Sequence, residues 1–101
     1  DKKQVWEKVL EEIEELKVEI LKGDNDRIES EFGDVLFALT NYARFIDVNP
    51  EDALERTNRR FVKRFQIMEN EIKENGKNMS EMSLAEMNVY WENAKKIYLG
   101  E

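Results

Sequence analysis

Cysteine and histidine are both missing from this sequence of 101 residues. Without cysteine there is no disulfide, no zinc-thiolate site and no thiol nucleophile. Without histidine there is no Ser-His triad and no di-iron site of the kind that needs Glu-x-x-His motifs. Proline occurs once and glycine four times, against 39% charged and 41% hydrophobic residues. That balance favours a helical domain over a sheet protein or a disordered chain. No apolar run approaches membrane-spanning length and no signal-peptide pattern is visible, so no membrane partner is expected. Positive charge is the scarcer sign, 16 Lys and Arg against 23 Asp and Glu, for a net charge of -7. A nucleic acid polymer is therefore not an expected partner. The lack of cysteine fits a reducing compartment, and the cytoplasm is the expected location. The chain opens without Met and almost at once inside a helical pattern, so a further segment is expected to precede Asp1.

Apolar spacing predicts four helices. The first spans about 3–22, with Val5, Val9, Ile13, Leu16 and Ile20 on one stripe and Gly23 at its C-cap. Asp24, Asn25 and Asp26 form a polar turn, and the second helix follows over about 27–47. Ile28, Phe32, Val35, Leu36, Leu39, Tyr42, Ala43 and Ile46 cover much of its circumference, which predicts the most buried helix. Asn49-Pro50-Glu51-Asp52 opens the third, over about 50–75. Its predicted core seam joins Leu54, Phe61 and Met68 with Thr57, Phe65 and Ile72. Gly76 ends it, and a loop follows. Ser83-Leu84-Ala85-Glu86 is a capping box for the fourth, whose inner face is Leu84, Met87, Trp91, Ala94 and Tyr98. The fold class is all-α, a four-helix bundle-type domain.

The chemistry is concentrated between residues 11 and 34. Glu12 and Glu15 stand three apart, as do Glu31 and Asp34. On a helix that spacing sets both carboxylates on one face. Two such pairs on packed helices would gather four carboxylates, which repel one another and resist burial. A hard divalent cation removes the conflict, and an all-oxygen donor set suits Mg, Mn or Ca. On most helices such acids are simply a solvated face. Asp34 is harder to read that way, because Val35-Leu36-Phe37-Ala38-Leu39 follows it directly. A salt bridge to an arginine of the third helix is the competing explanation. Arg60 and Arg64 flank the predicted seam one turn apart, within a basic patch completed by Arg56, Arg59 and Lys63. Such a pair suits a polyphosphate, although ordinary pairing with nearby Glu explains it equally simply.

In order, the chain carries Glu11-Glu12-x-x-Glu15, Glu31-x-Gly33-Asp34-Val35-Leu36-Phe37-Ala38, Asn41-x-Ala43-Arg44, Ala53-Leu54, and Asn58-x-x-Phe61-x-x-Arg64-Phe65. This ordered set resembles the MazG family of all-α nucleoside triphosphate pyrophosphohydrolases. The resemblance covers nearly the whole chain, so residues 1–101 read as a single MazG-like domain without the family's upstream segment. It implies a dimeric or higher homo-oligomeric bundle with its metal site between helices 1 and 2. It also implies hydrolysis of a nucleoside triphosphate to monophosphate and pyrophosphate with Mg2+, replaceable by Mn2+. By the same resemblance Glu12, Glu15, Glu31 and Asp34 are the metal ligands. Lys8, Glu11, Arg27, Arg60, Arg64, Glu86, Asn88 and Trp91 fall at nucleotide contacts, and Asn41 at the sugar or base. The family has Lys where this chain has Arg60, a change of reach and geometry that keeps the charge.

The chain offers no His or Cys as base or nucleophile, and a metal can both activate water and stabilise the departing pyrophosphate. Glu11, Glu15 or Glu31 is then the group that orients or deprotonates the attacking water. Three other readings compete. A narrower pyrophosphohydrolase acting on dUTP or dCTP shares the motifs. A non-catalytic dimerisation module leaves Asp34 without a role. A calcium-binding protein of the EF-hand kind lacks its Asp-x-Asp-x-Asp-Gly loop. Independently of the family, Trp6, Phe37, Tyr42, Phe45, Tyr90, Trp91 and Tyr98 are much aromatic surface for four helices to cover, which predicts an oligomer.

Overall fold

The computed structural model describes residues 1–100. Among them are four α-helices, one 3-10 turn and no strand. The helices are α1 (Lys2–Lys22), α2 (Asn25–Phe45), α3 (Pro50–Glu74) and α4 (Leu84–Ile97). The chain divides into two compact units, Asp1–Pro50 and Glu51–Glu101.

The first unit is a pair of helices, α1 packed on α2. Asp1 caps α1, and Gly23 ends it in the left-handed conformation at φ 80°, its N–H donating to Glu19 O. Asp24 then caps α2, its Oδ1 accepting from the backbone N–H groups of Asp26 and Arg27. Because Asp24 is the cap, α2 begins two residues before the expected Arg27. It also ends two residues early. Ile46 and Val48 both donate backbone N–H bonds to Ala43 O, and Asp47 turns left-handed at φ 56°. Asp is among the few side chains that tolerate this conformation.

Val9 on α1 and Ala38 and Ala43 on α2 are the buried apolar side chains of this unit. Two of the three are alanines, and small contact residues let helix axes approach closely. Glu12, one turn from Val9, is carried into the same interface and is only 7% exposed. The expectation that α2 is the most buried helix is not met. Phe32, Leu36, Phe37 and Leu39 are exposed, Phe37 by 76%. One partner helix covers one stripe, and the apolar residues of α2 run around most of its circumference.

The second unit is built on α3 and α4. Met68, Ile72 and Ala94 are its buried core, with Phe65, Ile67, Met79, Met82, Tyr90 and Trp91 packed against them. Phe61 stacks on Phe65 at 5.9 Å between ring centroids and meets Trp91 at 5.3 Å. The predicted seam of α3 is therefore buried only toward its C-terminal end, and Leu54 and Leu84 are exposed. Gly76, at φ 70°, ends α3 with its N–H on Lys73 O, while Lys77 N–H reaches Ile72 O. The Ser83–Glu86 capping box forms as the sequence predicts. The intervening loop contains a 3-10 turn at Met79–Glu81, capped by Asn78.

Candidate metal and nucleotide site

α1 and α2 bring three of the four expected metal ligands together. One carboxylate oxygen from each of Glu12, Glu31 and Asp34 lies within 4.8 Å of the others. The cause is register. Glu12 follows Val9 by one turn on α1, and Asp34 precedes Ala38 by one turn on α2, so the acids sit beside the buried contact residues.

Two of these carboxylates are incompletely partnered. Glu12 Oε1 is 3.0 Å from Lys8 Nζ, but Glu12 Oε2 is buried without a hydrogen-bond partner. Glu31 Oε2 is likewise out of solvent and unpartnered. A carboxylate oxygen withdrawn from water without a partner is destabilising, the more so when charged. The Glu31 carboxyl is pushed above the usual carboxylate range, first by desolvation, then by the charges of Glu15, Asp34 and Glu12. Glu15 is thus close enough to repel Glu31, although it stands outside the three-oxygen group and is exposed. An oxygen donor set that runs from buried Glu12 through half-buried Glu31 to exposed Asp34, with orphaned lone pairs and mutual repulsion, fits a hard divalent cation.

This gives a pH dependence with a definite sign. A raised carboxyl pKa means that the folded state holds a proton the unfolded chain would release, so this group's contribution to stability falls as pH rises through the raised pKa. A divalent cation supplies the positive charge that the proton supplied. The increase in Tm on adding Mg2+ is therefore expected to be larger at pH 7.5 than at pH 5, measured by differential scanning fluorimetry. An increase independent of pH would contradict the coupling.

The other expected residues are distributed as follows. Lys8 is exposed, bridges Glu12 and lies 3.5 Å from Glu11 Oε1; the Glu12 hydrogen bond and the neighbouring acids raise its pKa. Arg27 lies 3.9 Å from Asp24 at the start of α2. Asn41, half-buried, lines a cavity of about 220 Å³ in the first unit with Gln4, Lys8 and Ala38. In the second unit, Trp91 and Asn88 line an apolar groove of about 530 Å³ with Phe61, Phe65 and Met68. Glu86 has a local structural task, since its Oε1 accepts from Ser83 N and Oγ. Arg60 donates to Thr57 Oγ1 at 3.1 Å. Arg64 donates to two backbone carbonyls, Tyr98 O at 2.9 Å and Leu99 O at 3.2 Å. Tyr98, expected on the inner face of α4, stands just past its end in extended conformation, and the carbonyl contacts of Tyr98 and Leu99 carried no signal in the sequence. Glu19, two turns along α1 from Glu12, also has a buried and unpartnered Oε2.

A family model described as the MazG nucleotide pyrophosphohydrolase domain matches residues 1–67. That range includes all four acids, Asn41, Arg60 and Arg64. The nucleoside triphosphate pyrophosphohydrolase/pyrophosphatase MazG of Thermotoga maritima is 42% identical over 95 residues, 94% of this chain and 36% of its own length. The nucleoside triphosphate pyrophosphohydrolase of Escherichia coli K12 is 35% identical over 94 residues, 91% of this chain and 36% of its own. The uncharacterized protein YabN of Bacillus subtilis is 46% identical over 69 residues, 68% of this chain and 14% of its own. The chain thus spans about a third of the length of the Thermotoga and Escherichia relatives.

Proposed function

Since this chain belongs to the MazG nucleotide pyrophosphohydrolase domain family, we propose that it hydrolyses nucleoside triphosphates to the monophosphate and pyrophosphate, with Mg2+ as its metal and Mn2+ as a substitute. The observation that carries this reading is the gathering of Glu12, Glu31 and Asp34 with orphaned oxygens on Glu12 and Glu31. Those three and Glu15 would hold the cation. When bound, it supplies Lewis acidity toward phosphate oxygens and lowers the pKa of water.

The residues of the chain divide the remaining work. Lys8, beside Glu12, holds that carboxylate in position and adds positive charge at the rim. Glu11, beside Lys8, and Glu15, a ligand as well, are both exposed on α1 and would orient the attacking water or accept its proton. Arg27 and Asn41 contact the nucleotide, Asn41 toward the sugar or base. In the second unit Arg60 and Arg64 take phosphate charge, while Asn88 and Trp91 contact the nucleotide. Glu86, also in this set, serves as well through the capping box that fixes the start of α4. Mg2+-dependent release of pyrophosphate from a panel of nucleoside triphosphates tests the reading. Absence of turnover across the panel with every divalent ion would count against it. A preference confined to dUTP or dCTP would select the narrower alternative.

The exposed apolar face of α2 supports a homodimer, because patches of that kind mark interaction surfaces. Size-exclusion chromatography with light scattering is expected to give twice the mass of one chain, and Phe37→Glu to reduce it to a single chain. A parent protein of single-chain mass would overturn the dimer.

A further inference from the structure

Of the two arginines read above as phosphate contacts, Arg64 has its partners in the short stretch of chain that follows α4, and the same stretch runs beside Arg60. Arg64 Nε donates to Tyr98 O at 2.9 Å, and a terminal nitrogen of the same guanidinium donates to Leu99 O at 3.2 Å. One residue on, Gly100 lies against Arg60. A Cβ built on Gly100 would stand 2.6 Å from Arg60 Cδ, too close for any real contact. Gly100 also has φ 112°, a region that side-chain-bearing L residues rarely adopt. A third contact anchors the same stretch, with Lys63 Nζ 5.6 Å from the centroid of the Tyr98 ring. Three successive residues, Tyr98, Leu99 and Gly100, thus lie along Lys63, Arg64 and Arg60 of α3.

What these contacts lack is negative charge. A carbonyl is a neutral acceptor, so it orients a guanidinium without neutralising it. Among the described residues neither Arg60 nor Arg64 forms an ion pair. A phosphate offers the same paired acceptor geometry together with the opposing charge, which makes its hydrogen bonds to Arg stronger. The carbonyls and a phosphate compete for the same N–H groups of Arg64.

We propose that Tyr98–Gly100 is a displaceable strap, which occupies Arg64 and covers Arg60 in the substrate-free protein and is exchanged for phosphate when a polyphosphate binds. This inference rests on the reading of Arg64 as a phosphate contact. Opening the strap takes part of the binding energy, so the strap lowers the apparent affinity of the resting protein for polyphosphate. It also keeps the guanidinium of Arg64 extended and ordered until the anion arrives.

The test is calorimetric titration of inorganic pyrophosphate, with Mg2+ present throughout, into the parent, Gly100→Ala and Arg64→Met. Alanine at position 100 disfavours the strapped conformation through both the φ angle and the contact with Arg60, and removes neither guanidinium. Gly100→Ala is expected to bind pyrophosphate about three- to tenfold more tightly than the parent, and Arg64→Met more weakly. If Arg64→Met weakens binding while Gly100→Ala leaves it unchanged or also weakens it, the stretch positions Arg64 rather than competing for it. The strap is then overturned and the phosphate contact stands. If Arg64→Met binds as well as the parent, Arg64 is no phosphate contact, and the strap falls with it.

Discussion

Glu31→Gln is expected to lower Mg2+-dependent turnover by about a thousandfold or more while leaving the helices intact. The substitution keeps the size of the side chain and removes its charge. It thereby removes one donor from a group whose three oxygens lie within 4.8 Å of one another. Its effect on stability has the opposite sign. Glu31 is held above the usual carboxylate range by desolvation and by Glu15, Asp34 and Glu12. A neutral amide relieves that repulsion, so at neutral pH without metal the variant is expected to melt no lower than the parent. The Tm increase that Mg2+ gives the parent is expected to be lost. Losing activity while keeping stability is the signature of a ligand, and a fall in both would make Glu31 a structural residue. The variant separates the two roles by activity and melting curves measured on one preparation.

The second large effect is on folding. Ile72 is 2% exposed and packs with Met68 and Ala94 in the core of the second unit. Ile72→Ala is expected to cost about 2–5 kcal/mol, from lost burial plus the cavity left behind. In a domain of this size each kcal/mol lowers Tm by about 4–8 °C, so a fall of at least about 8 °C is expected. Leu84 was also assigned to an inner face by its spacing, but it is 82% exposed. Leu84→Ala is expected to stay within about 0.5 kcal/mol of the parent. Urea denaturation of both variants checks the contrast, and equal destabilisation would contradict the core as described.

The helices were readable in the sequence because the signals were local. Gly23, Gly76 and the Ser83–Glu86 box stand where the structure ends or begins helices. The small errors at α2 have a local cause too, since Asp24, the first of the three polar turn residues, provides the cap and Asp47 makes a left-handed exit. The acids were readable because i, i+3 spacing on two helices is a strong geometric constraint, and Glu12, Glu31 and Asp34 do meet. What periodicity does not encode is which apolar residues find a partner. α2 repeats apolar residues around its axis, but α1 covers only the stripe containing Ala38 and Ala43. Nor does local patterning anticipate contacts between residues far apart in sequence. Arg64 meets carbonyls 34 and 35 residues away, and those are backbone groups that any side chain could have carried.

The central claim is cleavage between the α- and β-phosphates by water attacking the α-phosphorus. Hydrolysis of a nucleoside triphosphate in 18O-labelled water, with Mg2+ and mass analysis of the products, tests it most directly. The expected products are a monophosphate carrying the label and unlabelled pyrophosphate. Orthophosphate and a nucleoside diphosphate would mean that a different bond is cut, and label in the pyrophosphate would place the attack on the β-phosphorus. Either result would contradict the reaction assigned to the Glu12, Glu31 and Asp34 cluster.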